Sequence, residues 1–242
     1  MFYSKFIAPR GRIIAEFFLV VLGVLAALMV DTWMEERQDD NLRQEYMTRL
    51  ADDLETDRQS LDYRISFYSA VRDFGLETLD RIQSDSQVEQ EAILAAYYTS
   101  ELFLFRSLKN TYEDMLSTGN IRLLADIEFR LALASYYRKI SAEATDTAED
   151  YRRIVRGIIP WKIQAAIREH CPTIDEIGEI PTGFPPCKLP GVSTDEVNEV
   201  FQSLRTHPDL VNVLTFRVSD VDTSIYLFKA QKQTVLGVLA LL

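Results

Sequence analysis

Residues 17–30 (FFLVVLGVLAALMV) form an unbroken apolar run near the start of the chain. Fourteen helical residues cover about 21 Å, less than the roughly 30 Å hydrocarbon core of a bilayer. Adding Ile13, Ile14 and Ala15 before the run and Thr32 and Trp33 after it brings the helix to spanning length. Beyond it, residues 34–82 contain no proline and a single glycine, Gly75. Met47, Leu54, Leu61 and Tyr68 recur every seven residues, and Leu50, Ile65, Val71 and Leu79 fill the same face. That periodicity predicts a long amphipathic, partly coiled-coil-like helix leading into a bundle.

Further helices are expected over 88–105, 108–116, 126–171, 193–204 and from Pro208 to the end. Turns are expected at 84–87 and 121–124. Gly119 suits a helix C-terminus that needs positive φ. Phe129, Leu133, Tyr136 and Ile140 mark the inner face of the fourth helix, which Pro160 must kink or break. Ser193 and Glu196 fit a capping box. The last eight residues are almost entirely apolar, yet at about 12 Å they are too short to span; they either pack on the bundle or dip into a leaflet. The fold class is therefore all-α. One N-terminal transmembrane helix continues into an antiparallel bundle outside the cytoplasm. The expected division is a basic tail 1–12, a span 13–33, and an outer domain 34–242 with an irregular loop at 171–192.

The flanks of the apolar run set its reading. Lys5, Arg10 and Arg12 are the only charged side chains before Ile13, while Glu35, Glu36, Asp39 and Asp40 follow it. A buried core helix needs no such asymmetry. A cleaved signal peptide needs small residues at its cleavage site, and MVDTWMEER offers none. The positive side places the N-terminus in the cytoplasm, and Trp33 is the expected interfacial anchor. Glu16, Val20, Gly23, Ala27 and Asp31 lie near one helical stripe, in which Gly23 and Ala27 are a small-xxx-small pair. Such a stripe admits a second helix, and a carboxylate near the span prefers a partner to lipid. Small residues are also simply common in membrane helices.

The net charge is −11, and because residues 1–12 carry +3, the remainder carries −14. An acidic domain repels nucleic acid and anionic lipid, so nucleic acid is not an expected partner. The expected partners are the bilayer and other membrane subunits or further copies of this chain.

Candidate chemistry is sparse. His170, His207, Cys171 and Cys187 are the only histidines and cysteines. They could supply four zinc ligands, but there is no C-x-x-C spacing, and a disulfide between Cys171 and Cys187 is the simpler reading outside the cytoplasm. That link would close a loop rich in proline (Pro172, Pro181, Pro185 and Pro186). No G-x-S-x-G occurs, and Cys171 beside His170 is adjacency rather than a nucleophile-base pair. Asp52, Asp53, Glu55 and Asp57 resemble a solvated acidic face more than a cation site. The pairs Tyr97–Tyr98 and Tyr136–Tyr137 fit a helical core. No catalytic residue, cofactor site or metal site is expected.

Two stretches resemble a known family. Residues 16–36 (EFFLVVLGVLAALMVDTWMEE) look like the signature of an uncharacterised family of bacterial single-span, membrane-anchored helical proteins, in which an apolar run with a central glycine is bracketed by Glu and by Asp-x-Trp and acidic residues. Residues 111–137 (TYEDMLSTGNIRLLADIEFRLALASYY) are similar to its second motif, a Tyr-led helix ending at Gly, a short turn, and a helix closing on a Tyr pair. The resemblance covers roughly the first 150 residues and implies topology and fold rather than an activity. The functional expectation is a non-catalytic accessory or scaffolding subunit of a membrane or envelope complex in the bacterial inner membrane. The alternative is an extracytoplasmic ligand-binding sensor that signals through a partner.

Overall fold

The computed structural model describes residues 10–84, 90–103, 108–142, 149–173 and 187–242, and the side chains of these except 10–15 and 139–149. Lys5, the turn at 85–87 and the interior of the Pro-rich loop lie outside the described residues, as do the side chains of Arg10, Arg12 and Ile140. The described chain is all-helical. Its α-helices are α1 (Arg10–Gln83), α2 (Gln90–Thr99), α3 (Asn110–Ser117), α4 (Ile127–Ala142), α5 (Glu149–Ile158), α6 (Trp161–His170), α7 (Thr194–Arg205) and α8 (Leu210–Leu239). They form two compact units, one of residues 1–50 with 110–127 and one of 51–109 with 128–242.

The apolar part of α1 is the one described segment long and apolar enough to cross a membrane, and none of it is buried within the chain. Farther along, α1 carries a buried seam. Tyr46, Leu50, Leu54, Leu61, Tyr68, Val71 and Ile82 are all core residues. The steps of four and three are those of a heptad stripe. Met47, Ile65 and Leu79, expected on this face, flank it half-buried. The interior positions hidden from a hydrophobicity pattern are Asp57, Arg64, Gly75 and Thr78, all buried on the same seam.

In the first unit, α3 and a 3₁₀ turn (Asn120–Leu123) lie beside the lower part of α1. Gly119, with φ of 75°, closes α3, as its position predicts. Tyr46 Oη donates to Asp114 Oδ2 (3.1 Å) and accepts from Asn120 Nδ2 (3.1 Å). Arg122 reaches Asp39 with both terminal nitrogens (2.7 and 3.2 Å). Met115, Leu123 and Leu124 are the buried apolar residues beneath.

In the second unit, α2 is central. Every residue from 92 to 99 is buried, so it shows no polar face, as befits a helix surrounded by others. It packs on α5 and α7, and α5 packs in turn on α7 and α8. The second helix is shorter than its sequence suggests. Thr99 Oγ1 donates to Ala95 O (2.8 Å) and Ser100 Oγ to Tyr97 O (2.5 Å), and the helical pattern stops there. Such back-bonding competes with the next helical turn. The long fourth helix expected over 126–171 is broken where proline requires it: Pro160, extended at ψ 144°, separates α5 from α6. α7 opens on the expected capping box, with Glu196 N–H donating to Ser193 Oγ and Ser193 N–H to Glu196 Oε2. The terminal helix begins at Leu210 rather than at Pro208. Its buried stripe continues through Val235 and Val238, so the apolar tail packs on its own unit along that stripe.

Candidate functional site

The polar groups of the second unit gather in two places. The first is a clamp on Leu108, just before α3. Leu108 N–H donates to Asp57 Oδ1 (2.9 Å), and Leu108 O accepts from Tyr137 Oη (3.2 Å). Asp57 Oδ2 accepts from Tyr136 Oη (2.9 Å). Asp57 is 1% exposed. It is therefore not part of a solvated acidic face, although Asp52, Asp53 and Glu55 beside it are exposed or half-exposed. The helical period explains the correction: position 57 falls on the seam that holds Leu54 and Leu61. Burial raises the Asp57 carboxyl above the ordinary carboxylate range, and its two donors only partly offset that. Burial beside the same carboxylate holds the Tyr136 phenol well above its usual pKa. The tyrosine pair expected in the core is there, and its hydroxyls are the reason for the pair.

The second gathering is at the C-terminal end of α2. The last carbonyls of a helix have no partners within it, and no glycine turns the chain here. Arginines from elsewhere supply the donors. Arg217 of α8, 2% exposed, donates to Thr99 O (3.4 Å) and Glu101 O (2.9 Å). Arg152 of α5 donates to Ser100 O (2.6 Å), and Tyr151 Oη to Ala96 O (3.1 Å). Arg156 lies over the Tyr97 ring at 3.4 Å, donates to Ser100 Oγ (2.6 Å), and pairs with Glu101 (2.8 Å). Cations are favoured at this end by the helix dipole as well. The C-terminal end of α1 repeats the device: Arg205 of α7 donates to Ile82 O (3.1 Å) and to Ser84 O.

Beside this arginine cluster lies a cleft of about 210 Å³ between α1, the end of α2 and the end of α6. Phe67, Tyr97, Tyr98, Ile167 and Pro172 form its apolar walls, and Glu101, Arg168, Cys171 and Thr173 complete it. Tyr98 Oη donates to Pro172 O (2.8 Å). Arg168 Nη1 is 3.4 Å from Tyr97 Oη, and its guanidinium stacks over Trp161 at 4.5 Å.

No protein family, curated protein or solved structure matches the chain. Its site must therefore be read from its own residues. Glu16, Val20, Gly23, Ala27 and Asp31 are all exposed along the apolar part of α1. A Cβ built at Gly23 meets nothing within 4 Å. Trp33 is exposed, with the Arg37 guanidinium 5.7 Å from its ring. Cys171 and Cys187 sit at disulfide distance, their Cα atoms 5.1 Å apart. His170 is 3.9 Å from Glu169, and His207 Nδ1 accepts from Asp209 N–H (3.3 Å). Among the described residues, no three His, Cys, Asp or Glu side chains converge as metal ligands.

The arginine cluster and its cleft escaped the sequence reading. Two signals point to the arginines. Arg152 and Arg156 are four apart on the α5 face that also carries Tyr151 and Val155. Arg217 interrupts the apolar stripe of Leu214, Val218 and Val221 on α8. Charges on such stripes mark helix ends that need donors.

Proposed function

We propose that this chain is a non-catalytic, membrane-anchored helical protein, acting as an accessory or scaffolding subunit of a membrane or envelope assembly. Its N-terminus lies in the cytoplasm, and the residues after Trp33 lie outside, at a bacterial inner membrane. The observation that carries the reading is the stripe along the span. Glu16 and Asp31 bracket Val20, Gly23 and Ala27 on a helix none of whose apolar window is covered by the rest of the chain. A small-residue stripe left uncovered by the rest of the chain favours a neighbouring helix over lipid. The basic residues on one flank and acidic residues on the other support the orientation, and the resemblance of residues 16–36 and 111–137 to membrane-anchored proteins supports the anchor.

The test is quantitative capture of membrane partners, and of a second tagged copy, from detergent-solubilised membranes. Gly23→Leu with Ala27→Leu is expected to lower the recovered partner or self-association at least several-fold while membrane insertion is unchanged, because Leu is as lipophilic as the residues it replaces. Assembly identical to that of the native chain, or no assembly in either, overturns the subunit reading. Labelling with membrane-impermeant reagents from each side reads the orientation in the same preparations.

A further inference from the structure

We propose that the cleft at the end of α2 is a binding site for a small carboxylic acid with an apolar, preferably aromatic, body. This goes beyond the subunit reading and does not rest on it, because every residue involved lies in the second unit.

The argument begins with shape. A concave, mainly apolar pocket with a few convergent polar groups is the usual form of a small-molecule site; at about 210 Å³ this one is smaller than the usual range of about 300–1,000 Å³, which restricts it to a small ligand. Its walls present the rings of Phe67, Tyr97 and Tyr98, with Ile167 and Pro172 opposite. Flat apolar surfaces of this kind favour an aromatic or branched hydrocarbon body.

Charge then selects the head group. Glu101, the acid on the cleft wall, is already engaged by Arg156 (2.8 Å) and Arg152 (3.6 Å). Arg168 makes no ion pair among the described residues. It rests on the Trp161 ring and touches Tyr97 Oη at 3.4 Å, which leaves a planar donor fork at the cleft wall. A guanidinium fork matches a carboxylate with two parallel hydrogen bonds. The nearby Tyr97 hydroxyl offers a further contact. Glu101 also lines the cleft, so even with its carboxylate paired to Arg156 and Arg152 a phosphate dianion meets more repulsion there than a monoanion does. The carbonyls that would repel any anion are occupied, Pro172 O by Tyr98, and Ser100 O and Glu101 O, just after α2, by Arg152 and Arg217. A cationic ligand would face the Arg168 guanidinium on the cleft wall.

The experiment uses the full chain in nanodiscs, titrated calorimetrically with 3-phenylpropionate, its neutral isostere 3-phenylpropionamide, and phenyl phosphate. Emission from Trp161, read in a Trp33→Phe background, gives an independent optical readout, since the Arg168 guanidinium lies over its ring. The expected result is saturable binding of 3-phenylpropionate at least tenfold tighter than of the amide, with phenyl phosphate weaker than the carboxylate. Arg168→Gln, at an exposed position, is expected to keep the native Tm while reducing the carboxylate preference to within about twofold. Absence of saturable binding, equal binding of the amide, stronger binding of phenyl phosphate, or a preference that survives in Arg168→Gln overturns the proposal. If Arg168→Gln lowers Tm, Arg168→Lys, which keeps the charge without the fork, is compared instead. It should bind the carboxylate more weakly than the native chain, and unchanged affinity overturns the proposal.

Discussion

At the scale of single residues, Asp57 shows how a charge enters a helical core. Its position is dictated by the seam of α1, and its two donors, Leu108 N–H and Tyr136 Oη, make the burial tolerable. Removing the carboxylate while keeping its shape separates these contributions. Asp57→Asn can accept from Leu108 with its carbonyl and donate to Tyr136 with its amide, so at pH 7 it is expected to match or exceed native stability. Asp57→Leu leaves both groups without their partner and should cost about 2–6 kcal/mol, at about 1–3 kcal/mol for each orphaned group. The pH dependence has a definite sign. The folded pKa of Asp57 is raised, so the cost of ionising it is present at neutral pH and is relieved as pH falls through that raised value towards about 3.9, the unfolded value. Glu55 and Glu196, held down to about 2 by Arg58 and by Ser193 respectively, act oppositely. Their contribution is lost as pH falls from the ordinary glutamate range towards 2. Thermal melts of native and Asp57→Asn protein should therefore converge on acidification; parallel curves would show that Asp57 does not titrate as described. None of this was visible in the sequence, where Asp57 stands among three other acids and reads as surface. The phase of the heptad was visible, but a hydrophobicity pattern passes over the polar residues that share it.

At the scale of elements, the periodic signals were legible and the ends of helices were less so. The heptad of α1, the capping box of α7, the break at Pro160 and the Gly119 terminus all follow from local chemistry, which a sequence displays. The early end of α2 is local only in part: Thr99 and Ser100 bond back onto the helix, but the donors to Ala96 O, Thr99 O and Ser100 O come from α5 and α8, more than fifty residues away. Gly75 is a further case. In α1 it reads as a helix weakener, and replacing it with alanine should gain about 0.5–1 kcal/mol of helix propensity. In the folded unit, however, a Cβ there would stand 2.6 Å from Val218 Cγ2 and 3.3 Å from Thr99 Cγ2. The glycine lets α8 and the end of α2 approach the α1 backbone. Overpacking of this kind costs about 1–3 kcal/mol, so Gly75→Ala is expected to lower stability overall. The double substitution Gly75→Ala with Val218→Ala should recover part of the loss. Urea titration of the four proteins completes the cycle, and additive effects would refute the contact.

At the scale of the whole molecule, the sequence displayed the all-α class and the candidate span because both depend on long stretches: helical periods free of proline, and an apolar run with charged flanks. The cleft was not legible, since it is assembled from three separate helices and a few residues after α6. The cysteine pair was legible as a pair, and its placement adds something. Cys171 follows α6 directly, and Cys187 precedes α7 by six residues. The polypeptide between them is thus bypassed by a second covalent route. An engineered protease site placed anywhere within 174–186 and cut to completion should give one band without reductant and two with it. The Tm of the cut, oxidised protein should lie within a few degrees of the intact one. Two bands without reductant, or two alkylatable thiols in protein isolated under thiol-blocking conditions, would refute the link. In topological terms the molecule is not a simple string from α6 to α7 but a string with a ring in it. The ring is the place where new sequence can be inserted, exchanged or severed while the chain on either side stays connected.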